Sequence, residues 1–121
     1  MFKPRVLVIE RDVDLQKRIA LSLEGAYTID LTSSGSLALI LMKDYRYACI
    51  VASYELPNRH SGEGILRAVR GMPGGRFVPV VATSTADGEE AVHKGFAACL
   101  KVPSDIRRLC SVVQGVMEAW D

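Results

Sequence analysis

Three apolar runs lack any polar alternation and stop abruptly at polar or charged residues. Arg5-Val6-Leu7-Val8-Ile9 ends in Glu10-Arg11-Asp12, and Ala48-Cys49-Ile50-Val51-Ala52 ends in Ser53-Tyr54-Glu55. Phe77-Val78-Pro79-Val80-Val81-Ala82 ends in Thr83-Ser84-Thr85. Runs of β-branched and small apolar residues at strand length are what parallel strands covered on both faces require. Tyr27 to Leu31 alternates, as a strand nearer a sheet edge would, and Ala97 to Lys101 supplies a fifth strand.

Helical spacing fills the intervals. Asp12 to Gly25 puts Leu15, Ile19 and Leu23 on one stripe, with an acidic start and a glycine stop. Ser36 to Lys43 is apolar on nearly every side, whereas a helix lying on a sheet needs only one stripe. Gly62 to Arg70 carries Ile65, Leu66 and Val69, and Gly71-Met72-Pro73-Gly74-Gly75 must turn. Asp87 to Lys94 predicts a short helix closed by Gly95. From Pro103-Ser104-Asp105 the last helix places Ile106, Leu109, Cys110, Val113, Met117 and Trp120 at helical intervals, with Ser104 as its cap. Five strand–helix alternations without repeat or linker predict an α/β fold in one domain spanning 1–121, a five-stranded parallel sheet with helices on both faces.

Composition narrows the class of function. Of 121 residues, 49% are apolar and 24% charged, the balance of a globular chain. A net charge of +1, from 15 basic and 14 acidic residues with no polybasic block, gives no reason to expect nucleic-acid binding. Four apolar residues before Glu10 are too few for a signal-peptide core, and no run is long enough to span a bilayer, so a cytoplasmic location without membrane contact is expected. Cys49, Cys99 and Cys110 are odd in number, far apart and set in apolar segments, which suits packing better than a disulfide or metal site.

Because ligands of open parallel sheets bind at the carboxyl ends of the strands, the residues there matter most. They are Glu10-Arg11-Asp12, Ser53, Thr83-Ser84 and Lys101-Val102-Pro103. In this order and spacing, with Leu56-Pro57 and Gly62 after the third strand and Gly95 before the fifth, the chain resembles the receiver domain of bacterial two-component response regulators over roughly residues 5 to 118. The resemblance implies a flavodoxin-like sheet of strand order 2-1-3-4-5 with five helices. It also implies an acidic pair that binds Mg²⁺, a phosphoacceptor aspartate four residues before the loop proline, a switch hydroxyl after the fourth strand and a lysine before the last proline. These supply a nucleophile, a hard cation for developing charge and a cationic clamp.

This chain departs from that set. Ser53 stands at the phosphoacceptor position, a protonated hydroxyl with no neighbouring general base. The former acidic and metal cluster reads Glu10, Arg11, Asp12, and the permanent cation of Arg11 projects toward the metal position, so no Mg²⁺ or other metal is expected. Ser84 keeps the switch hydroxyl. Spacing from Gly95 aligns Val102, not Lys101, with the family lysine; Lys101 reaches the pocket only if a bulge resets the register. Cys99 takes the place of the aromatic switch residue. The loop before Gly62 is one residue longer than the family's, and the segment after Ser84 is several residues shorter.

The resemblance with these losses implies a degenerate receiver, a pseudo-receiver, in a signalling (phosphorelay) pathway. It is not phosphorylated on Asp in the usual way and acts through protein partners, a homodimer among them. The alternative is a pocket in which Arg11, Ser53, Ser84 and Lys101 bind a small anionic or nucleotide-like ligand; against it, Arg11 would pair with Glu10, Asp12 or Glu55. No enzyme is expected: His60 and His93 have no nucleophile at a recognisable spacing, and phosphate-binding glycine motifs are missing. Leu37 and Ile40, apolar at i and i+3, are the candidate interaction patch; alternatively they pack under a loop or Tyr45-Arg46-Tyr47. His93, Lys94, Lys101, Arg107 and Arg108 form at most a modest basic face.

Overall fold

Each buried strand supplies two faces, and each face finds its own layer of helices. In the computed structural model, which describes residues 3–55, 62–85 and 94–119, the strands are β1 (Arg5–Ile9), β2 (Thr28–Thr32), β3 (Cys49–Ser53), β4 (Val80–Ser84) and β5 (Ala98–Lys101). They form one parallel sheet in the order β2-β1-β3-β4-β5. Among the described residues there are four α-helices: α1 (Val13–Leu23), α2 (Gly35–Asp44), α3 (Gly62–Arg70) and α4 (Leu109–Ala119). The expected helix from Asp87 lies outside the described residues up to His93, as do His60, His93, Trp120 and the Leu56-Pro57 pair.

Period-two alternation divides the core. Leu7, Ile9, Ile50, Ala52, Val80 and Ala82 face α2 and α3, meeting Ala38, Ile65, Leu66 and Val69. Val6, Val8, Val51 and Val81 face the opposite way and meet Ile19 and Leu23 of α1 and Leu109 and Val113 of α4. All five residues of β3 and of β4 are buried, which is why neither shows polar alternation in the sequence. Truncating a fully buried residue such as Leu109 to alanine removes about 2–5 kcal/mol.

Several boundaries differ from the sequence expectation. Phe77 is not in β4: Gly75–Phe77 forms a 3-10 turn, Phe77 is 66% exposed, and the strand begins only at Val80, after Pro79. The shift carries β4 through Ser84, so Thr83 and Ser84 are strand residues. Ser53 likewise belongs to β3 rather than following it. Helix α1 ends without a left-handed glycine, since the Glu24 N–H closes it on the Ala20 carbonyl; Gly95, by contrast, has φ 106°. Ser104 does not cap the last helix but donates to the Lys101 carbonyl, and a 3-10 turn at Ile106–Arg108 precedes α4.

Helix α2 explains its own apolar excess. Ser34 caps it by accepting the Leu37 N–H, and only Gly35 and Ala38 are buried. Leu39, Leu41 and Met42 are half-buried, whereas Leu37 and Ile40 are 47% and 55% exposed. These two therefore do not pack under Tyr45-Arg46-Tyr47.

Candidate functional site

The carboxyl ends of β1, β3, β4 and β5 enclose a cleft of about 340 Å³ whose lining includes Glu10, Arg11, Asp12, Ser53, Glu55, Thr83, Ser84 and Val102. Parallel pairing sets their positions: Ser53 is in register with Thr83, and Ser84 with Lys101. Gly62, the first residue of α3, closes the approach from the side. A Cβ there would stand 2.7 Å from the Tyr54 Cα and 2.9 Å from the Ser53 carbonyl, so glycine lets α3 abut the end of β3.

Three carboxylates border the cleft, and each already accepts from donors of this chain. Glu10 is buried and its Oε2 accepts the Asp12 N–H at 3.0 Å; burial pushes its pKa up, against the lowering effect of the Asp12 and Arg11 N–H groups. Asp12 is exposed and caps α1, its Oδ1 accepting the Leu15 N–H at 3.1 Å. Glu55 Oε1 accepts a short hydrogen bond from the Ser84 hydroxyl and a second, at 3.2 Å, from the Thr85 N–H.

The hydroxyls differ in their state. Ser84 is buried and bonded to Glu55. Ser53, also buried, has no hydrogen-bond partner for its hydroxyl among the described residues. Thr83 is 1% exposed and its buried Oγ1 has no hydrogen-bond partner among the described residues. Arg11 is exposed and makes no ion pair among the described residues, which corrects the expectation that it neutralises Glu10, Asp12 or Glu55. The acids have turned instead to main-chain N–H groups and to Ser84.

Lys101 is exposed and does not line the cleft, whereas Val102 is buried, lines it, and donates its N–H to the Ser84 carbonyl at 2.8 Å. No bulge resets the register, and Val102, followed by a cis peptide to Pro103, stands where spacing from Gly95 put it. The cleft therefore contains a valine where the resemblance implies a cationic clamp.

Such a donor set does not fit Mg²⁺. A hard cation needs several free oxygens; here the acids are shared with internal donors, the pKa of Glu10 is raised, and Arg11 brings a fixed positive charge to the same cleft. Among the described residues there is no group of three His, Cys, Asp or Glu arranged to hold a metal.

The sequence places Thr83 among the strand ends and Glu55 only as a partner for Arg11; that Glu55 lines the cleft and accepts from Ser84 is visible in the structure alone. Glu55 lies two residues after Ser53, the spacing that returns a strand side chain to the same side, and Thr83 sits directly before the switch hydroxyl. Both signals were present but depended on where the strands stop.

No protein-family model and no curated protein matches the chain. Solved structures do. A sensor protein from Polaromonas sp. JS666 superposes with a TM-score of 0.86 at 25% sequence identity, covering 98% of each chain. A CheY-like response regulator receiver domain from Methylobacillus flagellatus gives 0.80 at 25% identity, over 94% of this chain and 98% of that one. The receiver domain of a sensor histidine kinase from Pseudomonas aeruginosa PAO1, with a magnesium ion coordinated in its active site cleft, gives 0.83 at 23% identity, over 96% and 98%. The chain has the fold of CheY-like response regulator receiver domains.

Proposed function

We propose that the chain is a pseudo-receiver, a two-component signalling module that takes no phosphoryl group in the usual way and acts by binding other proteins in the cytoplasm, without enzymatic activity of its own. The observation that carries the reading is the Glu55 carboxylate, which holds the Ser84 hydroxyl and the Thr85 N–H. The Ser84 hydroxyl is the group that the receiver resemblance assigns to a phosphoryl oxygen at the end of β3. An acid supplied by the chain itself occupies it, next to a serine whose hydroxyl is a poor nucleophile without a base. Val102 in place of a cation and Arg11 in place of a carboxylate point the same way. The exposed pair Leu37 and Ile40 is the surface on which a partner, or a second copy, would bind.

The experiment is incubation with acetyl phosphate and Mg²⁺ followed by intact-mass measurement. An unchanged mass is expected. A gain of one phosphoryl group that hydroxylamine removes would overturn the reading, because it would place an acyl phosphate on a carboxylate of this chain.

One observation favours a second reading, a small anionic ligand. Thr83 Oγ1 is buried without a partner, and it shares the cleft with the Ser53 hydroxyl and the Arg11 guanidinium, three donors suited to an oxyanion. Amide shifts of Arg11, Ser53 and Thr83 on titration with inorganic phosphate test it. Resonances that stay in place dispose of it.

A further inference from the structure

A second depression lies at the other end of β3, away from the strand ends that form the cleft. It is an open groove of about 850 Å³ between the carboxyl ends of α2 and α3 and the turn leading into β4. Its floor and walls are apolar and aromatic: Tyr47, Ile50, Val69, Met72 and Val78, with Tyr45 and Phe77 at the edge. Phe77 is 66% exposed and stands open beside an existing hollow, and Tyr45 is 46% exposed with the Arg5 guanidinium over its ring at 4.5 Å.

The groove is preformed. Arg70 Nη1 donates to the carbonyls of Gly75 and Val78, both at 2.8 Å, and ties α3 to the turn. Gly75 packs so tightly that a Cβ there would stand 1.7 Å from the Val69 carbonyl oxygen. A wall held in this way loses little freedom when a partner binds.

Cations outnumber acids around it. Lys43 and Arg46 line it and Arg76 flanks it between the lining residues Gly75 and Phe77; all three are exposed and none pairs with a carboxylate among the described residues, while Asp44 is the one carboxylate in the described lining. Arg76 lies over the Phe77 ring at 5.2 Å, so cation and aromatic ring present themselves together. For a chain whose total charge is +1, two cations against one anion in the lining, with Arg76 beside it, is a local excess.

We propose that this groove is a docking site for an acidic protein segment that inserts a large apolar or aromatic side chain between Met72 and Phe77 and places its carboxylates against Arg46 and Arg76. The apolar floor selects the anchor and the cationic rim the charge. This surface goes beyond the pseudo-receiver reading, because it shares no residue with the cleft or with Leu37 and Ile40. It would operate whether or not Ser53 is a phosphoacceptor.

The test titrates the isotope-labelled chain with an acetylated peptide of Asp, Glu, Leu and Phe, in parallel with the same peptide carrying Lys at every acidic position. Saturable amide shifts centred on Tyr47, Met72 and Phe77 are expected with the acidic peptide only. Its affinity should fall by about tenfold or more in the Arg46→Glu/Arg76→Glu variant and weaken as salt rises. Both residues are exposed, and amide shifts outside the groove report whether that variant stays folded; Phe77→Ser removes the anchor without altering charge and should abolish saturation. Equal binding of the lysine peptide, shifts centred elsewhere, no saturable binding, competition by a single-stranded oligonucleotide at equal affinity, or sedimentation showing a dimer that buries Phe77 would each overturn the proposal.

Discussion

The contact between Ser84 and Glu55 can be isolated by a double-mutant cycle of Ser84→Ala, Glu55→Ala and the pair. Ser84 is buried and its hydroxyl donates to a charged acceptor, an arrangement that contributes about 1.5–3 kcal/mol when well enclosed. Glu55 is exposed, so water competes for its carboxylate and the lower end applies. Each single variant should therefore lose about 1.5 kcal/mol, Glu55→Ala slightly more because it also strips the acceptor from the Thr85 N–H. The double variant should lose little beyond Glu55→Ala, leaving a coupling of about 1 kcal/mol. In a domain of this size that coupling is about 4 °C in melting temperature, within reach of urea or thermal unfolding followed by circular dichroism. Independent residues would give single effects that add to within about 0.5 kcal/mol. Such additivity would refute the internal bond, and with it the argument that Glu55 occupies the hydroxyl that the receiver resemblance assigns to a phosphoryl oxygen.

Four further outcomes follow from the geometry. Burial raises the Glu10 pKa above its ordinary 4.5, so the native state holds that proton more tightly than the unfolded chain; its contribution is complete below 4.5 and is lost as pH rises through the raised value. Urea midpoints of the parent chain should thus fall relative to Glu10→Gln as pH rises from 4.5, and parallel profiles would contradict this. The Cys49 thiol, pushed up to about 12 by burial, should resist a disulfide reagent at pH 8 until the chain unfolds, while Cys99 and Cys110, both half-buried, react first. Gly75→Ala should destabilise by about 3 kcal/mol through its clash with the Val69 carbonyl, read from the urea midpoint. Leu37→Glu with Ile40→Glu should alter stability by less than about 0.5 kcal/mol, and should abolish self-association in sedimentation if that patch forms a homodimer.

Elements whose burial alone determines their sequence were the most legible. β1 was bounded correctly because Arg5 to Ile9 sits between a proline and a charged triplet, and β3 was recognisable because all its positions are covered. Phe77 departs from the strand pattern because apolarity is not burial: three residues after Gly74, whose φ of 75° turns the chain, it stands in solvent at the edge of a groove. At the site, residue identities were readable but bonds were not. Ser53, Ser84 and Val102 occupy the positions that spacing assigned, yet the partner of each acid depends on distances of a fraction of an ångström between chain segments far apart in sequence. Glu55 meets Ser84 across 29 residues, and nothing in either local stretch states that contact.

If both proposals hold, the two ends of the sheet divide the work that one end would do in a phosphorylation switch. At the carboxyl end, Glu10, Asp12 and Glu55 have each accepted donors from the chain, so the cleft keeps its shape without a bound ion to organise it. A switch requires two states that a ligand binds unequally; on the pseudo-receiver reading proposed above, a Glu55 carboxylate that already accepts from Ser84 and Thr85 leaves a phosphoryl group fewer donors to reorganise. On that proposed reading, recognition would rest on surfaces that are the same before and after a partner arrives. The proposed groove at the amino end would meet that requirement, because Arg70 and Gly75 hold its wall in place and Phe77, Arg46 and Arg76 are exposed at its edge. A partner would find the same shape in every copy of the chain, and control would pass from the state of the receiver fold to the availability of the partner itself.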